Sequence, residues 1–233
     1  MANVLFISLV YLLTASFPGV AAAQRITLSL DQAIEVIQKG ISSPGVSDRE
    51  ALEASTTVWQ TAKRNPELVK PFKELLLKEI TRLDAWGHYT EASGGYKLNL
   101  IRALFPLADP ELIPFFIRQC QHGSFVKEGL AKVGRVAIPP LIDELLHGQY
   151  HTCPAVSLAA IAREGLGPAS QLSPEEKKLL RRNLQELAVP ALERALELAR
   201  QEERDGLLPI YQRKFFMPMI SESLEGIRQF LSQ

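Results

Sequence analysis

Apolar side chains recur along this chain in steps of three and four. The first such set is Leu30, Ala33, Ile34 and Ile37, the second Leu52, Ser55, Val58, Trp59 and Ala62, and the third Leu68, Val69, Phe72, Leu75, Leu76 and Ile80. That spacing keeps one face of an α-helix apolar, whereas the alternating, β-branched runs that strands require are nearly absent. The pattern predicts an all-α chain. Polar residues mark the helix starts: Ser29-Leu30-Asp31-Gln32, Ser47-Asp48-Arg49-Glu50 and Ser173-Pro174-Glu175-Glu176 each fit a capping box. Gly40 stops the first helix, Ile41 to Val46 is a turn, and Pro66 opens a third helix. The polar, glycine-bearing stretch Asp84 to Gly95 reads as a loop.

The same alternation continues downstream. Leu98, Ile101, Leu104, Phe105 and Leu107 form a stripe, Ala108-Asp109-Pro110 a turn, and Leu112 to Cys120 the partner helix. A shorter pair follows, from Phe125 through Val133 and from Ile138 to His147. Thr152 is the expected cap of a third pair, which Gly165-Leu166-Gly167-Pro168 ends. Pro190 is expected to break or kink the helix that Ser173 opens, and the tail reads as two helices with Pro209 and Pro218 near their starts.

A short phrase punctuates these pairs: Asn65-Pro66-Glu67-Leu68-Val69, Asp109-Pro110-Glu111-Leu112-Ile113, and in weaker form Ile138-Pro139-Pro140-Leu141 and Val189-Pro190-Ala191-Leu192. Recurrence at tens of residues is the mark of a repeat architecture. The segment Gly129-Leu130-Ala131-Lys132-Val133-Gly134-Arg135-Val136-Ala137-Ile138-Pro139-Pro140-Leu141-Ile142-Asp143-Glu144-Leu145 resembles a HEAT repeat of the short bacterial type, and Leu100 to Cys120 is similar. The resemblance spans roughly 48–204 and is strong in 97–147; the insertion at 165–183 departs from it. It implies a superhelical stack of antiparallel helix pairs, an α-solenoid with irregular repeats. Such a stack holds partners on a rigid wall, so little entropy is lost on docking. It supplies no catalytic residues.

The first 23 residues follow other rules. Val4 to Phe17 is almost wholly apolar, Pro18-Gly19 breaks it, and Ala21-Ala22-Ala23 offers small residues before Gln24. This is the layout of a secretory signal peptide, although Met1-Ala2-Asn3 carries no Lys or Arg. The alternative, an uncleaved anchor, is short for a bilayer span. The expected mature protein is therefore one α-helical domain, 24–233, working in the periplasm or outside the cell, with an inserted helical region at 165–188 and a helical cap at 205–233. Equal numbers of basic and acidic side chains, 26 each, give no pull toward nucleic acid.

Chemistry-bearing residues are few. The four histidines and two cysteines all fall at or beside junctions between helix pairs. His88 lies in the 84–95 stretch, Cys120 and His122 end one helix, and His147, His151 and Cys153 bracket the next junction. Thiolate and imidazole are ligands for Zn or Cu, so Cys120, His122, His147, His151 and Cys153 form a candidate metal edge. A Cys120–Cys153 disulfide competes with that reading. A whole helix pair separates the two residues, which puts their Cα atoms about 10 Å apart, beyond the ~7 Å limit of a bridge. Two free, partly buried thiols is thus the leading alternative. Phe115, Arg118 and Glu144 are candidate partner contacts, although the aromatics on these helices are more often core than surface. No Gly-x-Ser-x-Gly or His-Glu-x-x-His is present, and Ser93-Gly94-Gly95 follows no strand. The sequence reads as a protein-binding scaffold without catalysis or a cofactor, with metal binding as its alternative.

Overall fold

The computed structural model describes residues 28–87, 90–149, 151–206 and 210–233, the backbone alone for 210–214. The expected signal peptide and His88 lie outside these residues. All described regular structure is helical, and no strand occurs among the described residues. The helices are α1 (Leu30–Lys39), α2 (Asp48–Arg64), α3 (Lys73–Trp86), α4 (Glu91–Leu104), α5 (Ile113–Gln119), α6 (Lys127–Val133), α7 (Ile138–His147), α8 (Thr152–Leu166), α9 (Pro174–Asn183), α10 (Val189–Arg204) and α11 (Ile210–Leu231).

Local chemistry explains most of these boundaries. Ser29 and Gln32 form the reciprocal cap of α1, and Gly40 ends it at φ 82°, a conformation that suits a residue without Cβ. Ser47 accepts from the Glu50 amide to start α2, without the reverse bond. Asp109 accepts from the Glu111 amide in the turn before α5. α9 opens on the full Ser173–Glu176 box with Pro174 at its first position.

Four sequence expectations are corrected. The helix expected from Pro66 begins as two 3₁₀ turns, Pro66–Leu68 and Lys70–Phe72. Pro71 has no N–H to donate back to Glu67, so α-type bonding waits until Lys73. Leu68 is left 51% exposed, not buried. The stretch read as a loop to Gly95 is helical from Glu91, because Thr90 and Ser93 form a reciprocal cap. Gly94 and Gly95 lie inside α4, where a Cβ on Gly95 would come within 3.3 Å of Leu52 Cδ1; the missing side chain lets α4 lie close on α2. The interruption of α-helix expected at Pro190 falls just before it. A π-helical turn, Leu184–Ala188, carries α9 directly into α10, and Pro190 falls in the first turn of α10. Finally, the tail is one helix, α11, with Pro218 inside it. Packing against α8 and α10 holds it across the lost hydrogen bond.

One connected core runs through the described residues. α1 packs on α2, α2 on α4, α6 on α8 and α8 on α11, while α1 meets α3, α5 meets α7 and α7 meets α10. Tyr96, Phe116, Leu100, Leu104 and Leu130 are fully buried near its middle. Phe116 meets Phe105 edge-on at 5.5 Å, and Gly129 fits against both rings. No described helix is long and apolar enough to cross a membrane.

Candidate functional site

The two cysteines are bonded to each other. Their Cα atoms are 5.7 Å apart, not the 10 Å expected, and both residues are buried. The helices between them are short. A 3₁₀ turn, Cys120–His122, prolongs α5 and brings its end to the first turn of α8, across α6 and α7. The candidate metal edge loses its sulfur ligands to this bond, and its histidines are engaged separately. His147 is exposed and faces Asp143 at 3.1 Å. His151 Nδ1 donates to the Leu145 carbonyl at 2.7 Å, its ring lying against Phe216. Among the described residues no three His, Cys, Asp or Glu side chains converge as a metal site. The expected partner contact Phe115 is also displaced: it is 6% exposed and packs against Phe116. Arg118 is exposed, and Glu144 is half-buried, accepting from the Gln149 amide.

His122 belongs instead to a polar junction of α3, α4 and the turn after α5. The buried Lys97 ammonium donates to Asp84 and to His122 Nε2, the latter at 3.0 Å. Gln119 Nε2 donates to the second Asp84 oxygen at 2.9 Å, and Gln121 Nε2 lies 3.0 Å from His122 Nε2. With two N–H groups aimed at it, His122 Nε2 is an acceptor, which makes the ring neutral. Burial and the neighbouring Lys97 charge both lower its pKa, against a smaller opposing pull from Asp84. A cleft of about 180 Å³, bounded by Lys97, Leu98, Ile101, His122 and Phe125, lies beside the junction. Asp84 balances the charge of Lys97 there, so the arrangement works as a buried polar clamp between helices.

A second ionic clamp ties α3 to the turn before α5. Lys73 Nζ lies 2.8 Å from Asp109 and 2.7 Å from Glu111. The hydrogen bond from Lys73 holds the Asp109 carboxyl below its ordinary range, and the two carboxylates raise the Lys73 ammonium.

A groove of about 680 Å³ lies over α8, between the end of α6 and the start of α9. Gly134, at φ 77°, ends α6 and leads into a 3₁₀ turn that leaves Val136 44% exposed. On the opposite wall Leu172 and Leu179 are 37% and 40% exposed. Between the walls Leu180 packs on Gly165, where a Cβ would come within 2.2 Å of Leu180 Cδ2. The connector is braced from within: Ser170 Oγ donates to the Gly165 carbonyl at 2.6 Å and accepts from the Leu172 amide. These groove residues lie around the insertion that departs from the repeat pattern, and sequence reading missed them as a site. No local motif marked them, because Leu179-Leu180 reads like the adjacent apolar pairs of any helix face, such as Leu75-Leu76.

The chain matches no family model, no curated protein and no solved structure.

Proposed function

We propose that this is an exported helical-repeat scaffold that binds another protein in the groove over α8, with no catalysis of its own. The reading is carried by one open groove with exposed aliphatic side chains on both walls, Val136 on one and Leu172 and Leu179 on the other. The helix contacts support a stacked arrangement. α2 packs on α4, α6 on α8 and α8 on α11, with the Phe105–Leu107 turn between α4 and α6, while α1 meets α3, α5 meets α7 and α7 meets α10. In a stack of this type each helix pair needs its neighbours to bury its stripe, and the assembled wall is rigid before any partner arrives. Export is supported by the Cys120–Cys153 bridge, because such bonds persist in oxidising compartments.

The test is co-purification from the native envelope or culture fluid with three forms of the protein. Wild type and Lys63→Glu, an exposed position on α2 outside the groove, should retain the same bound protein. Val136→Glu combined with Leu179→Glu should lose it while keeping an unchanged helical circular-dichroism spectrum. Equal recovery by all three forms would count against the groove.

A further inference from the structure

His122 sits between a fixed point and a hinge. Two residues before it, Cys120 is bonded to Cys153 in the first turn of α8. Directly after it, Gly123 takes φ 116°, a conformation that favours a residue without Cβ. The turn that follows, Ser124–Val126, carries Phe125, which with His122, Leu98 and Ile101 bounds the cleft beside Lys97. The Lys97 ammonium ties this segment to α4 through its bond to His122 Nε2, at 3.0 Å. A lysine can only donate, so the bond exists only while Nε2 keeps its lone pair free to accept. Among the described residues, the charged groups facing His122 are Lys97 on α4 and Asp84 on α3, with Asp84 Oδ1 3.5 Å from Nε2. Both Asp84 oxygens already accept, one from Lys97 and one from Gln119. Gln121 adds a neutral donor, and Cys153 on α8 does not titrate while bonded.

We infer that His122 is an acid-released latch: once its ring is protonated, the 121–125 segment separates from α4 and the cleft opens onto Lys97. Protonation turns Nε2 from acceptor into donor and sets two cations 3.0 Å apart beside a single carboxylate. It also adds a positive charge to a Lys97–Asp84 pair that was balanced. The ring is 34% exposed, so it has a path to water, where an imidazolium is better solvated than in the junction. Burial and the Lys97 charge oppose protonation while the latch is shut, which is the same coupling read from the other side. The crosslink at Cys120 keeps the movement from passing back into α5 or α8, and Gly123 supplies the backbone freedom to make it.

The experiment is amide hydrogen exchange on the whole, disulfide-bonded protein at about pH 7.5 and about pH 5.0, which bracket the ordinary histidine range. Rates are corrected for the pH dependence of the chemical exchange step itself. Exchange over 121–127 should rise about threefold or more at the lower pH, beyond any rise over α2 and α8. His122→Gln keeps an oxygen that can accept from Lys97 but takes up no proton in this range, so the segment should stay protected at both pH values. His122→Lys, cationic throughout, should show the released behaviour already at the higher pH, with an unchanged helical circular-dichroism spectrum. His88→Gln should respond as wild type does. This variant separates the titration of His122 from that of His88, which follows Asp84 by four positions and lies outside the described residues. Equal protection of the wild-type segment at both pH values would overturn the inference, because the protonated ring would then have turned to Asp84 and stayed. A response that persists in His122→Gln, or a rise over 121–127 no larger than that over α2, would overturn it as well.

Discussion

At the level of single residues, two positions carry more than their size or charge suggests. Gly129 lies against Phe105 and Phe116 so closely that a Cβ would come within 2.5 Å of Phe105 Cδ1. Both rings are buried, and neither can swing into solvent. Gly129→Ala should therefore overpack the core and lower stability by about 1–3 kcal/mol, despite alanine's better helix propensity. Urea titration would read this as a lower midpoint with an unchanged slope. His122 introduces a pH dependence of defined sign. Its folded-state pKa is depressed by burial and by Lys97, so the unfolded chain takes up a proton at a higher pH than the folded chain does. Stability should hold above the ordinary histidine range, fall as the pH drops through about 6.5, and level off below the folded-state value. Melting temperatures taken from neutral to mildly acidic pH should show a shallower fall in His122→Gln than in wild type. Little of this junction could be read beforehand. Asp84, Lys97, Gln119 and His122 come from three separate elements, and no local spacing relates them.

Single elements were more legible, because helix ends are decided by nearby residues. The caps at Ser29 and Ser173 and the stop at Gly40 stood in the sequence as written. Thr90 and Ser93 could have been found by the same rule, but Gly94-Gly95 suggested a loop; what outweighs their poor propensity is the approach of α4 to α2. Pro190 and Pro218 misled in a related way. Proline disfavours a helix interior by a few kcal/mol, and tertiary packing on α8 and α10, or one wide π turn, can absorb that. α9 is the element on which the groove depends, and it rests on its cap. Ser173→Ala should cost about 1 kcal/mol. The loss should be local, with faster amide hydrogen exchange over 174–183 and little change in α2 or α4. If exchange rose equally throughout the chain, α9 would have to be an integral part of the global folding unit.

For the whole molecule, the decisive long-range feature is the bond between residues 33 positions apart. Closing a loop of that length removes roughly 3–4 kcal/mol of unfolded-state entropy at room temperature. Replacing both cysteines by alanine should lower the unfolding free energy by about that amount, and reductant should have a comparable effect only once the protein has been opened, since both residues are buried in the native state. The all-α class was evident from periodicity alone, whereas this crosslink was not. Estimating the Cys–Cys distance from an average repeat overlooks that α6 has only 7 residues and α5 ends in a tightened turn.

The same bond divides the chain mechanically. Stretched by its two ends, the protein can surrender length on either side of the crosslink, but the tension passes through the sulfurs and bypasses everything from 121 to 152. About 110 Å of contour stays hidden in the oxidised molecule at an extended rise of 3.3–3.6 Å per residue. Optical-tweezer traces should show that missing length return in a single step when reductant is added. The α6–α7 hairpin, whose connecting turn forms one wall of the groove, is thus the part of the fold that a pull on the ends cannot unravel directly.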